Sequence, residues 1–77
     1  MSGQALPVCK PQEVIKALER DGWRISRQKG SHAILAKVGA RSPVVVPCHD
    51  KDVPTGTLRN ILRMSGLSIE RFSEILR

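Results

Sequence analysis

The stretch WRISRQKGSHAILAKVGARSPVVVP, residues 23–47, decides the fold of this chain. It begins with the two-residue alternation of polar and apolar side chains that is typical of a half-buried strand, which predicts a strand over residues 23–28. A tight turn is predicted at 29–30 and a second strand over 31–37. The chain turns again at 38–40, and the β-branched run at 43–47 predicts a short third strand. Two successive hairpins make a three-stranded antiparallel meander.

The segments on either side of this stretch carry apolar residues at helical spacing. Pro11 suits a first helical position and Gly22 offers a stop, which predicts a helix over about 11–21. A second helix is predicted from Thr55, whose hydroxyl can cap it, to Gly66, and Ser68 can cap a last short helix. The order α-β-β-β-α-α, with helices on one face of the sheet, predicts an α+β two-layer domain. The double-stranded-RNA-binding domain has the same α-β-β-β-α order.

The length of 77 residues suits a single domain. We predict a folded unit over residues 10–77 and a flexible lead-in over residues 1–9. The sequence has neither an apolar run long enough to span a membrane nor the pattern of a signal peptide. Its two cysteines, Cys9 and Cys48, are fewer than small secreted scaffolds usually carry and fit a reducing compartment. We therefore expect a cytoplasmic protein without a disulfide.

The charge balance points to a polyanionic partner. Thirteen Lys and Arg against seven Asp and Glu give a formal net charge of +6. On so short a chain this is a dense positive field, which attracts nucleic acid in a salt-dependent manner. Charge that serves only solubility is the plainer alternative. Membrane-surface binding is less favoured, because the basic residues are spread over every segment.

His32 is the strongest candidate for chemistry. Histidine titrates near neutral pH, so it can act as a general base. RNA carries its own nucleophile in the 2′-hydroxyl group, so such a base together with cations on the phosphate can cleave it without a metal ion. Lys29 and Arg27 can neutralise charge on the phosphate oxygens, and Gly30 and Ser31 can donate hydrogen bonds from a turn. The structural alternative for His32 is a half-packed residue at a strand end.

Strand alternation leaves the orientation of His32 open. It shares one face with Ile34 and Ala36, while Ala33, Leu35 and Lys37 take the other face. Each face has both aliphatic and polar residues, so neither is clearly the core. A position at the edge of the strand leaves His32 accessible in either case.

Other candidate residues have weaker patterns. Cys48, His49 and the acidic residues after them suggest a metal site. Adjacent Cys and His seldom bind one ion, however, and no second ligand pair occurs at a suitable spacing, so no metal or other cofactor is expected. His49 is instead expected to be a loop or loop-packing residue, with a smaller chance of contacting RNA. Arg59 and Arg63 share a helix face that suits phosphate contacts and equally suits an ordinary solvated surface. The residues expected to contact RNA are Arg24, Arg27, Lys29, Gly30, Ser31, Lys37, Arg59 and Arg63.

Several short motifs, taken in order, resemble those of one family. They are residues 11–15 (PQEVI), 22–23 (GW), 27–32 (RQKGSH), 44–47 (VVVP) with His49, 54–62 (PTGTLRNIL) and 66–67 (GL). In this combination the chain resembles the HicA-type (YcfA-like) mRNA interferase toxins of bacterial toxin–antitoxin pairs. The resemblance covers roughly residues 10–76. Two positions differ from the usual pattern: Ala33 stands where a basic residue is common and Leu35 where an aromatic one is. These differences bear on RNA affinity along the second strand.

The resemblance implies a fold like that of the double-stranded-RNA-binding domain and ribosome-independent cleavage of mRNA. It also implies an active-site histidine, which corresponds to His32, and neutralisation by a HicB-type antitoxin that covers this region. We expect the free toxin to be monomeric. Two alternatives stay open: a non-catalytic RNA-binding module, and a protein-interaction subunit whose charge serves an acidic antitoxin.

Overall fold

The structure, a computed structural model, describes residues 6–49 and 51–76. It has the predicted order of elements and confirms the α+β fold with a three-stranded antiparallel sheet and three helices. The elements are α1 (Pro11–Arg20), β1 (Arg24–Lys29), β2 (His32–Ala36), β3 (Val44–Pro47), α2 (Thr55–Ser65) and α3 (Ile69–Leu76). Among the described residues, no helix has the length and apolar character needed to cross a lipid bilayer.

The sheet has β2 at its centre, with β1 and β3 as the two edge strands. Lys29 belongs to β1 and pairs with His32, so the turn between β1 and β2 consists of Gly30 and Ser31 rather than residues 29–30. Gly30 has a φ of +59°, which glycine adopts readily and other residues seldom do. A positive φ at the first of two loop residues is the geometry that matches the right-handed twist of a hairpin.

One face of the sheet carries the hydrophobic core. Ala33 and Leu35 of β2 and Val44 and Val46 of β3 are all buried there. The helices cover this face with side chains from each of their apolar stripes, namely Val14, Ala17, Leu18, Leu58, Ile61, Leu62, Phe72 and Ile75. The core face of β2 is therefore the one that contains Ala33 and Leu35.

Strand β1 differs from its prediction, because all six of its residues are exposed. The prediction of a half-buried strand is wrong here. The helices pack against β3 and against each other, whereas β1 packs mainly against β2, so it extends beyond the layer of helices. Trp23 is buried just before the strand begins, while Ile25 within it remains 44% exposed.

The predicted cap of α2 is also wrong. Thr55 is the first residue of the helix, and Pro54 occupies the cap position without a side-chain hydrogen bond. In contrast, the hydroxyl of Ser68 caps α3 as predicted, since it accepts a hydrogen bond of 3.0 Å from the backbone N–H of Arg71.

The core reaches into the segment predicted as a flexible lead-in. Cys9 is buried, and its carbonyl accepts a hydrogen bond of 2.8 Å from the backbone N–H of Val53. Burial, with smaller contributions from the negative charges of Glu13 and Asp52, raises the pKa of the Cys9 thiol above its usual value. Residues 1–5 lie outside the described residues.

Candidate functional site

His32 is exposed on the face of the sheet that the helices leave open. It is the first residue of β2, and it alternates with Ala33 and Leu35, which are buried on the core face. Its side chain therefore lies on the outer face, together with those of Ile34 and Ala36. An imidazole in this position is accessible to a large ligand such as RNA.

Three basic residues of β1 lie on the same outer face. Arg24 pairs with Ala36, Arg27 with Ile34 and Lys29 with His32, and paired residues of an antiparallel sheet project to the same side. We call Arg24, Arg27 and Lys29 the basic row. Opposed side chains have Cβ atoms about 4.5–5.5 Å apart, so the ammonium group of Lys29 can reach a phosphate held at His32.

A bulge in β1 makes this alignment possible. Arg24 and Lys29 are five positions apart, and in a regular strand they would project to opposite faces. The register shifts between Ile25 and Arg27, so Ser26 is the extra residue. The hydroxyl of Ser26 donates a hydrogen bond of 3.1 Å to the carbonyl of Ile34. The bulge thus brings all three cations onto the face that presents His32.

The strands bring positive charge and no negative charge to this face, and the cations come from β1. None of the three described strands contains an acidic residue. Gly30 and Ser31 are exposed at the turn beside the basic row, where their polar groups can meet a phosphate. The predicted residues Arg24, Arg27, Lys29, Gly30, Ser31 and His32 therefore form one continuous surface.

The structure adds His49 to this surface. The ring centroids of His32 and His49 are 6.2 Å apart, with an interplanar angle of 82°. The proximity follows from the register of β2 and β3: His32 pairs with Pro47, and the backbone N–H of Cys48 donates to the carbonyl of Ser31. His49 follows one residue later, and the proximity of its ring to that of His32 places it beside His32 on the outer face. The sequence predicts a loop residue at position 49, and its place beside His32 is seen only in the structure.

Lys37 lies apart from the basic row, just beyond the opposite end of β2. It is five positions along the chain from His32, which corresponds to about 16 Å in an extended strand. Its ammonium group forms an ion pair of 3.1 Å with Asp21 and lies 6.0 Å from the ring centroid of Trp23. It also lines a surface groove with Arg41 and Arg63.

Arg59 and Arg63 are exposed on α2, whose opposite side contributes Leu58, Ile61 and Leu62 to the core. Since α2 covers the core face of the sheet, its solvent side is turned away from His32. Arg63 donates a hydrogen bond of 3.0 Å to the side chain of Asn60 on its own helix. The structure therefore does not bring these two arginines, or Lys37, to the surface that contains His32.

The two positions that depart from the family pattern have a structural explanation. Ala33 and Leu35 are fully buried against the helices. Because their side chains are on the core face, they do not alter the charge or shape of the outer face around His32.

No group of three or more His, Cys, Asp or Glu side chains is placed to hold a metal ion within residues 6–49 and 51–76. The suggested cluster at Cys48 and His49 includes Asp50, which lies outside the described residues.

A family model described as "HicA toxin of bacterial toxin-antitoxin" matches residues 11–67 of the chain. These residues span all three strands, the turn with Gly30, and both histidines. None of the curated proteins compared with the chain matches it.

Proposed function

The chain belongs to the HicA toxin family of bacterial toxin–antitoxin systems, and on this basis we propose that it is a metal-independent endoribonuclease that cleaves mRNA in the cytoplasm with His32 as its catalytic residue. The observation that carries the proposal is the exposed His32 beside the basic row, on the one face of the sheet that no helix covers. A histidine with cations beside it is an arrangement that suits metal-independent cleavage of an RNA phosphodiester.

The reaction uses the nucleophile that RNA itself carries. His32 removes the proton of a 2′-hydroxyl, whose oxygen attacks the adjacent phosphorus atom, and the bond from that phosphorus to the 5′ oxygen of the next nucleotide breaks. Negative charge then accumulates on the phosphoryl oxygens, and Lys29, directly opposite His32, stabilises it. Arg27 and Arg24, further along the basic row, hold the neighbouring phosphates of the strand.

The toxin role implies an antitoxin partner. We propose that this partner is of the HicB type and that it covers the basic row and His32 with an acidic surface, because one positive surface can serve both RNA and an acidic protein. Binding of the antitoxin would then exclude RNA from the site by competition.

The test is cleavage of a long RNA in the presence of EDTA by the wild-type protein and by His32→Ala. We expect the substitution to lower the rate by about 10²–10⁴-fold, the usual contribution of general acid–base catalysis. Gln28→Ala is the matched control, since Gln28 is exposed on β1 but pairs with Ala33 on the other face. It should cleave at the wild-type rate.

Two results would contradict the proposal. A wild-type protein that binds RNA without cutting it would instead be a non-catalytic RNA-binding module. If His32→Ala cut as fast as the wild type, the assignment of His32 would be wrong. Circular dichroism of each variant separates loss of chemistry from loss of fold.

A further inference from the structure

We propose that His49 is the general acid of the reaction, the partner of His32 that delivers a proton to the leaving 5′ oxygen. This inference rests on the proposed RNA cleavage and extends it with a second catalytic residue.

The placement of His49 carries the inference. Its ring lies 6.2 Å from that of His32 between centroids, and both side chains are exposed on the outer face of the sheet. The two residues come from different segments, His32 from the start of β2 and His49 from the chain just after β3. The hydrogen bond from the Cys48 N–H to the Ser31 carbonyl fixes these segments side by side, so the pairing of the rings depends on backbone register.

The chemistry requires two proton transfers on opposite sides of one phosphorus atom. The bond between the 2′ oxygen and phosphorus forms, and the bond between phosphorus and the 5′ oxygen breaks. The proton of the 2′-hydroxyl goes to His32, and a proton from His49 goes to the departing 5′ oxygen. The products are a 2′,3′-cyclic phosphate and a 5′-hydroxyl, and no oxidant, reductant or metal ion enters the balance.

The separation of the rings suits this division of roles. Each catalytic nitrogen must come within about 2.6–3.2 Å of its own oxygen, and the two oxygens lie on opposite sides of the phosphoryl group. Two imidazoles 6.2 Å apart between centroids leave space for one phosphoryl group between them. A single histidine would have to move from one oxygen to the other during the reaction.

Lys29 assists the pair, whereas the side chain of Cys48 packs against the core. Lys29 pairs with His32 across the hairpin, and its cation faces the same phosphate. The thiol of Cys48 donates a hydrogen bond of 3.5 Å to the carbonyl of Val46. Beside His32 on the outer face, Lys29 supplies a cation and His49 supplies the second imidazole.

The decisive experiment compares two substrates that differ in the leaving atom. One is a short RNA with a normal scissile phosphodiester, and the other has sulfur in place of the 5′ oxygen at that bond. A thiolate is a far weaker base than an alkoxide and leaves without being protonated. We expect His49→Gln to cleave the oxygen substrate about 10²-fold or more slowly than the wild type, and the sulfur substrate at close to the wild-type rate.

His32→Gln provides the contrast, since loss of the base should slow cleavage of both substrates. The pH profile gives a second readout. A base that must be neutral and an acid that must be protonated make the wild-type profile bell-shaped, and His49→Gln should lose the fall in rate at high pH. Cys48→Ala, the adjacent position, is the control and should behave as the wild type.

The outcomes separate this inference from the proposed function. If His49→Gln cleaves both substrates as the wild type does, or slows both equally, His49 is not the general acid, while the assignment of His32 stands. If the wild-type protein cleaves neither substrate, the proposed function itself fails and this inference fails with it.

Discussion

The two faces of the sheet differ in almost every physical respect, although alternate residues of the same strands form them. On the core face, Ala33, Leu35, Val44 and Val46 are each no more than 1% exposed. On the outer face, His32 and the basic row are exposed to solvent. One face therefore holds the apolar contacts that stabilise the fold, and the other holds the charge and the titratable groups.

Alternate residues along a strand project to opposite faces, so the residues that stabilise the fold and those proposed to act on RNA can be substituted separately. A substitution on the core face should act through folding, whereas one on the outer face should act through RNA. A domain of this size has a free energy of unfolding of about 4–11 kcal/mol, so a single core substitution can remove a large part of it.

The largest effect is expected from neighbouring residues on opposite faces of β2. Leu35→Ala should lower the free energy of unfolding by about 2–5 kcal/mol, because it removes buried methyl groups and leaves a cavity. Ile34→Ala, one residue away on the outer face, should cost about 1 kcal/mol or less. Urea denaturation measures both. Equal losses would show that the outer face also contributes to the core.

The next effect concerns RNA affinity. Arg27→Gln should weaken RNA binding about tenfold at low salt and reduce the slope of log affinity against log salt by about 1, because one phosphate contact is lost. Lys16→Gln removes the same charge from an exposed position on α1 and serves as the control. If the two variants lose the same affinity, net charge rather than the basic row attracts RNA. Fluorescence anisotropy with His32→Ala as the background avoids cleavage during the measurement.

Some of this architecture could be predicted from sequence, and some could not, for identifiable reasons. Turn residues and helical spacing predict the order of elements, and the exposed His32 beside basic residues agrees with the structure. The face of β2 could not be assigned, because the His-Ala-Ile-Leu-Ala run is aliphatic on both sides. The exposure of β1 could not be predicted either, because it depends on how far the helices extend across the sheet.

The role of register explains the remaining errors. The connection between β2 and β3 spans seven residues, 37–43, and a loop of that length leaves the strand pairing undetermined. Without the pairing of His32 with Pro47, nothing indicated that His49 lies beside His32. The sequence pattern also gives no sign of the bulge at Ser26. Without the bulge, Arg24 could not be assigned to the same face as Lys29. Local patterns predicted the elements, but the site is assembled by pairing.

Two glycines with positive φ provide the third prediction. Gly30 (φ +59°) lies at the turn beside the basic row, and Gly66 (φ +78°) follows the end of α2, on the side of the sheet that the helices cover. A Cβ atom at either position would meet no other atom within 4 Å, so alanine would add backbone strain alone. Each substitution should therefore lower the free energy of unfolding by about 1–2 kcal/mol. Thermal denaturation checks this.

Activity should distinguish the two glycine variants. Gly30→Ala should also reduce RNA cleavage at a temperature where both variants are folded, because in the proposed site the polar groups of the turn contact the phosphate. Gly66→Ala should keep the wild-type rate. Equal rates for both would show that the turn has no part in the site.

The smallest effect is expected from the two cysteines, which differ in burial. Cys9 is buried in the core and its pKa is raised, whereas Cys48 is partly exposed at the margin of the core. In the unfolded chain the Cys9 thiol ionises above about pH 8.5, while the folded protein keeps it neutral. As the pH rises, the unfolded state therefore loses the thiol proton first. The stability that is present below this pH is lost as the pH rises through the pKa of the thiol in the folded protein. Relative to Cys9→Ala, the wild type should become less stable above pH 8.5. Denaturation curves at a series of pH values measure the difference. Cys48→Ala should lose stability at alkaline pH as the wild type does. If the free energy of unfolding changes with pH in the same way for the wild type and Cys9→Ala, ionisation of Cys9 does not affect stability.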